Sequence, residues 1–290
     1  MSAARLGFIG LGNMGGPMAA NLAAAGIALS VYDQAGTADR APAGADCVES
    51  AAEVAAATGT VLLSLPDGDV SRSVAREIAG APGRTASVVI DFSTIGLDAS
   101  RDVHALLAEA GIAYIDAPVS GGTRGAKNGT LTVIWGGPAD IMAANRAALD
   151  AVAGNVFHVG DHPGQGQAMK LLNNYLSAVA MAATSEAIAF GLSQELDFAT
   201  MLEVINVSTG RNEASADKFP SRILSGTYDA GFHMALMTKD VVLYLESARQ
   251  TGSPVAVGEP VVALWRQADA AMPGADFTRI FDFVRTPAAR

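Results

Sequence analysis

The residues best placed to do chemistry fall into three groups. Gly10, Gly12 and Gly15 form a G-x-G-x-x-G pattern directly after the apolar run Leu6–Ile9. Between a strand and a helix, this pattern suits a dinucleotide. The first glycine permits the tight turn and the second lets the backbone approach a pyrophosphate. The third lets the helix pack closely on the strand, with its N-terminus facing the anion. Leu11, Asn13 and Met14 complete the candidate cofactor loop. Asp33 lies 23 residues after Gly10, at the end of the next apolar run. A carboxylate there accepts hydrogen bonds from the adenosine ribose hydroxyls and repels a 2′-phosphate. Gln34, Ala35, Gly36 and Thr37 provide no arginine for that phosphate, so NAD is expected in preference to NADP. An ordinary glycine turn beside a surface aspartate is the weaker alternative in this context.

The second group is Ser120-Gly121-Gly122, which follows the run Ala113–Asp116 and Pro118. Two glycines after a serine let backbone N–H groups converge into a nest for a carboxylate, and the hydroxyl adds a donor. A plain turn after a strand explains the same residues. The third group is Lys170 and Asn174, one helical turn apart on one face of a largely apolar segment. A lysine among Ala168, Met169, Leu171 and Leu172 is costly to bury without a task or a partner. Partial desolvation disfavours its ammonium form, which suits a general acid/base. The ordinary alternative is a lysine that snorkels to the surface.

Strand candidates are Leu6–Ile9, Ala28–Tyr32, Thr60–Leu65, Ser87–Asp91, Ala113–Asp116 and Leu131–Trp135. They alternate with the alanine-rich helical stretches Met14–Ala25, Val70–Ile78 and Ser100–Ala110. This alternation implies βαβ units. The expected fold is therefore an α/β Rossmann domain, doubly wound with a mostly parallel sheet, over residues 1–163. Beyond it the strand signals vanish. Helical runs are read at Gln165–Leu192, Phe198–Asn206, Ala235–Thr251 and Glu259–Ala270, so residues 164–290 are expected to form an all-α domain opening with a long interdomain helix.

With these segments in place, the chain resembles the β-hydroxyacid dehydrogenases, whose members include 3-hydroxyisobutyrate dehydrogenase and tartronate semialdehyde reductase. Four separated segments carry the likeness: Gly10–Gly15 with Asn21-Leu22; Asp116-Ala117-Pro118-Val119-Ser120-Gly121-Gly122; Gly164-Gln165-Gly166 with Lys170 and Asn173-Asn174; and Lys239-Asp240. The resemblance implies hydride transfer between a nicotinamide cofactor and a small anionic β-hydroxyacid or its semialdehyde. It implies that Ser120, Gly121 and Gly122 hold the substrate carboxylate. Lys170 would then move the hydroxyl proton, with Asn174 hydrogen-bonding the same oxygen or orienting the lysine, and Asn173 beside it on the substrate side. Leu65 and Pro66 would lie along the cofactor, Thr94 would reach the nicotinamide ribose side, and Lys239 would approach from the second domain. Arg211 and Asn212 occupy the region that tunes substrate choice, and Phe232 is a candidate pocket wall. Ser208-Thr209-Gly210-Arg211-Asn212 departs from the Ser-Ser-Gly-Arg-Ser of enzymes for 3-hydroxyisobutyrate, which favours a more hydroxylated or sulfonated substrate. The family also implies a homodimer or homotetramer.

With 19 basic and 29 acidic residues, the net charge is −10. Nucleic acid and anionic membrane are therefore not expected partners. The single cysteine, Cys47, excludes an internal disulfide and is read as an inert, buried or partly exposed thiol in a cytoplasmic protein. Leu171–Leu192 is interrupted by Asn173, Asn174 and Glu186 and is read as a buried helix and not a bilayer span. His104, His158, His162 and His233 are scattered, and no metal site is expected. Two alternatives share the architecture: an imine-reductase-like enzyme, and a non-catalytic NAD-binding sensor or scaffold. The presence of Ser120, Lys170 and Asn174 together weighs against both.

Overall fold

The computed structural model describes residues 5–286. It comprises two compact units, Met1–Lys170 and Leu171–Arg290. The first is built on nine strands: β1 (Leu6–Ile9), β2 (Leu29–Tyr32), β3 (Asp46–Cys47), β4 (Thr60–Leu63), β5 (Val88–Asp91), β6 (Ala113–Asp116), β7 (Val119–Ser120), β8 (Leu131–Gly136) and β9 (Ala153–Gly160). The order is β3-β2-β1-β4-β5-β6-β8-β7, with β9 on β8. The strands from β3 to β6 run parallel, and β8 pairs antiparallel to β6 and β7. This is the expected doubly wound, mostly parallel sheet.

Helices α1 (Gly15–Ala24), α2 (Ala51–Ala57), α3 (Gly68–Ala79), α4 (Leu97–Glu109), α5 (Gly122–Asn128), α6 (Ala139–Ala144) and α7 (Arg146–Val152) connect the strands. Ser50 and Asp67 cap α2 and α3 by accepting the backbone N–H groups of Glu53 and Val70. The central strands are apolar on both faces because helices cover both. Phe8, Leu62, Ile90 and Ile115 join α1 in one core, while Ile9, Val61, Leu63 and Val89 join α2, α3 and α4 in the other. Registry aligns Tyr32, Ile9, Leu63, Asp91 and Asp116 in one row across the sheet. Asp33, Gly10, Leu65 and Thr94 therefore all follow strand ends on the same edge.

The second unit is helical. It holds most of α8 (Gln165–Ser193), then α9 (Phe198–Asn206), a π-helix (Ala214–Ile223), α10 (Met234–Gln250), α11 (Gly258–Ala271), a 3-10 turn (Phe277–Arg279) and α12 (Ile280–Arg285). Trp265, Phe219, Phe281, Met237 and Val241 anchor its core. By length and composition alone α8 could cross a membrane, and 39% of its most apolar window is buried. Leu176 and Phe190 remain 60% and 69% exposed. The helix is thus only partly buried, a correction to the expectation of a buried one. Cys47 is exposed, on the edge strand β3.

Candidate active site

The cofactor loop runs from β1 into α1. Gly10 has φ +92°, and a Cβ there would sit 2.2 Å from the Ser64 carbonyl oxygen. At Gly15 a Cβ would meet the Gly10 carbonyl oxygen at 1.8 Å, so helix and turn are in backbone contact. At Gly12 a Cβ would meet no protein atom within 4 Å. Nothing in the chain requires glycine there. The open space beside that backbone, at a helix N-terminus, fits a pyrophosphate.

Asp33 closes the loop from β2. Its Oδ2 accepts the Leu11 N–H at 2.6 Å and its Oδ1 the Ala35 N–H at 2.8 Å. The Arg40 guanidinium lies 3.6 Å from Oδ1. Residues 34–37 carry no arginine, but the loop after β2 folds Arg40 back onto Asp33 from further along. Between the ends of β4 and β5, the Leu65 N–H donates to the Ser93 hydroxyl at 2.7 Å. Leu65 and Thr94 are half-buried there, and Pro66 is exposed.

Ser120 closes β7, paired with Thr132 of β8. Gly121 and Gly122 follow at φ +125° and +61°, a region that disfavours any side chain. Asp116, which opens this segment at the end of β6, is fully buried. It accepts the Gly164 N–H at 3.0 Å and the Gln167 N–H at 2.7 Å, and so caps α8 from another strand. Burial pushes its carboxyl up to about 7, chiefly by desolvation, against the two backbone hydrogen bonds. Asp91, buried at the end of β5, is also raised by desolvation, against hydrogen bonds from Ser93, Ser71 and Tyr114. Gly166 is confined between strand ends; a Cβ there would lie 2.6 Å from the Asp116 carbonyl oxygen and 2.7 Å from that of Ile134. Lys170 follows one turn into α8, 8% exposed. It is a buried lysine and not a snorkelling one.

In the helical unit, Asn174 is 6% exposed, and its amide donates to Asp240 Oδ2 at 2.6 Å. Lys239 Nζ is 3.3 Å from Asp240 Oδ1. Asn173 is exposed and donates to Asn174 Oδ1 at 3.2 Å. Arg211 is exposed. Asn212 is engaged in structure: its Oδ1 accepts the Ser215 N–H at 3.0 Å at the start of the π-helix, and its amide donates to Thr184 at 3.1 Å. Phe232 packs edge-to-face on Phe277, centroids 5.8 Å apart, at the margin of the core. An open, apolar groove of about 420 Å³ between α9 and the π-helix, lined in part by Leu202, Val207 and Leu224, contains none of these residues. Among the described residues no three His, Cys, Asp or Glu side chains form a metal-binding group. His158 Nε2 lies 2.9 Å from the Gly137 carbonyl oxygen and 3.2 Å from Asp161.

Two family models cover nearly the whole chain. Residues 5–160 match the NAD-binding domain of 6-phosphogluconate dehydrogenase. Residues 164–284 match the NAD-binding domain of NADP-dependent 3-hydroxyisobutyrate dehydrogenase. The 3-hydroxyisobutyrate dehydrogenase of Pseudomonas aeruginosa is 39% identical over 95% of this chain and 96% of its own. The chain belongs to the β-hydroxyacid dehydrogenase family. The NAD-dependent L-serine dehydrogenase of the same organism is 36% identical over 90% of this chain and 91% of its own. The solved structure of Mycobacterium tuberculosis 3-hydroxyisobutyrate dehydrogenase with L-serine superposes with a TM-score of 0.89 at 32% identity, covering 98% and 100% of the two chains. As a β-hydroxyacid dehydrogenase, the protein is an oxidoreductase that binds a nicotinamide cofactor.

Three residues that hold these elements together were not legible as such in the sequence. Gln167 lay inside a recognised segment, but its fully buried amide bonds the loop after β5. Asp116 was noted as a strand end and not as the cap of α8. Arg40 was outside the span searched. A buried polar side chain in a glycine-bounded helix start was the one available signal for Gln167.

Proposed function

We propose that this dehydrogenase interconverts a small β-hydroxyacid and its semialdehyde, with Lys170 as general acid/base and NAD as the preferred cofactor. The observation that carries the reading is a lysine only 8% exposed, one turn before a buried asparagine on α8, whose first turn is fixed to the strand ends beyond which the cofactor loop lies. When bound, the cofactor supplies the hydride acceptor or donor. In oxidation, Lys170 Nζ takes the substrate hydroxyl proton; in reduction, it returns a proton to the developing alkoxide. Asp240 accepts from the Asn174 amide and fixes the orientation of that side chain. Ser120 and the backbone of Gly121 and Gly122 bind the carboxylate. Asp33 favours NAD by accepting from the ribose hydroxyls.

The relatives support this substrate class. 3-Hydroxyisobutyrate and L-serine both carry a hydroxyl β to a carboxylate. The test is NAD-dependent oxidation of 3-hydroxyisobutyrate, L-serine, glycerate, threonate and a sulfonated analogue. Lys170→Ala is expected to lower kcat by on the order of 10²–10⁴-fold, with NAD affinity kept. Near-normal turnover by that variant would remove the lysine from the mechanism.

A further inference from the structure

Lys170 sits on a helix whose first turn is held from two directions by one residue. The Gln167 N–H donates to Asp116 Oδ2 at 2.7 Å. Gln167 Oε1 accepts the N–H groups of Ile95 at 2.9 Å and Gly96 at 3.1 Å, and its Nε2 donates to the Ser93 carbonyl at 2.9 Å. The residue is 0% exposed, so water can replace none of these bonds. Both anchors lead to expected site groups: residues 93–96 contain Thr94, and Asp116 begins the segment that ends at Ser120-Gly121-Gly122. Gly166 leaves no room for a Cβ against the Asp116 and Ile134 carbonyls, so the helix cannot move closer to the strand ends, while the Gln167 bonds keep it from backing away. Lys170 lies three positions after Gln167 on the same helix, so a shift at one moves the other by nearly the same amount.

We propose that Gln167, with Asp116 as its partner, is a positioning residue that sets the register of Lys170 against the two strand ends. The inference rests on the reading of Lys170 as the acid/base. An amide suits the task because it offers acceptor and donor together, matching two N–H groups and one carbonyl. The bonds keep α8 from rotating or sliding, and proton transfer is sensitive to displacements of about 1 Å.

The test compares Gln167→Met, an apolar side chain of similar length, with the wild type in two respects. In the cofactor-free protein, amide hydrogen exchange at residues 93–96 is expected to accelerate, because the Ile95 and Gly96 N–H groups lose their acceptor. In turnover of L-serine or 3-hydroxyisobutyrate, whichever is faster, kcat is expected to fall about 10- to 100-fold. In the Lys170→Ala background the same substitution is expected to add almost nothing, because its effect runs through the lysine. A merely structural residue would lower both backgrounds by the same factor, and that result, or unchanged kcat in the wild-type background, overturns the proposal. If Gln167→Met does not fold, Gln167→Glu takes its place: it keeps the acceptor, opposes the Ser93 carbonyl, and is held to the same non-additivity. Near-normal turnover by Lys170→Ala itself would instead reject the acid/base reading, whatever the exchange data show.

Discussion

Gly12 and Gly15 belong to one motif, yet they are glycine for opposite reasons. At Gly15 the constraint is internal, a carbonyl oxygen 1.8 Å from any Cβ. Gly15→Ala is expected to cost at least about 2 kcal/mol of stability in chemical unfolding. At Gly12 the space is open. Gly12→Ala is therefore expected to leave the unfolding midpoint unchanged while weakening NAD binding by about tenfold or more, measured by titration. A large stability loss at Gly12 would mean that its space is needed by the protein itself. The Asp33–Arg40 pair yields a second comparison. Among the described residues Arg40 is the basic group paired with Asp33, the carboxylate proposed to bind the ribose, so Arg40→Ala is expected to weaken NADP binding and spare NAD; equal loss of both would deny it a role in cofactor choice. These residues also show where sequence reading stops. The glycine loop is local and was legible. Gln167 and Asp116 meet partners 72 and 51 positions away, and only the fold reveals such pairs.

At the scale of elements, strands were read to within two residues wherever both faces are apolar, as in β1, β4, β5 and β6. Elements that depend on tertiary pairing were missed. Strand β9 carries Gly154, Asn155 and His158, is mostly exposed, and owes its extension to its ladder with β8. Helix α5 opens on Gly122 and contains Gly125, against helix propensity. The π-helix holds Pro220 within it. Helix α8 was legible in extent because its apolar run is long, but its cap was not, since Asp116 comes from β6. That cap has a pH signature. With its carboxyl raised from 3.8 to about 7 in the folded state, the native protein binds the proton more tightly than the unfolded chain. The cost of burying the charge is full above about pH 7 and is relieved as the pH falls toward 4. Relative to Asp116→Asn, the wild type is expected to gain roughly 2 kcal/mol between pH 8 and 5 in denaturant unfolding. An invariant difference across that range would mean that Asp116 is not a buried, titrating cap.

For the whole molecule, the helical unit presents apolar side chains that a single chain leaves in water. Val207 is 88% exposed, Phe190 69% and Leu176 60%. Surfaces of this kind mark association sites, and a homodimer or homotetramer is the expected state. Light scattering is expected to give a multiple of the 29.5 kDa chain mass, and Phe190→Asp to shift it toward the monomer. The proposed division of labour gives a buried lysine the proton and a nicotinamide the hydride. Its most direct test is the rate of NADH formation across the β-hydroxyacid panel, wild type beside Lys170→Ala. Turnover of at least one β-hydroxyacid is expected, falling by on the order of 10²–10⁴-fold in the variant at unchanged NAD affinity. Turnover that survives the loss of the lysine would contradict it.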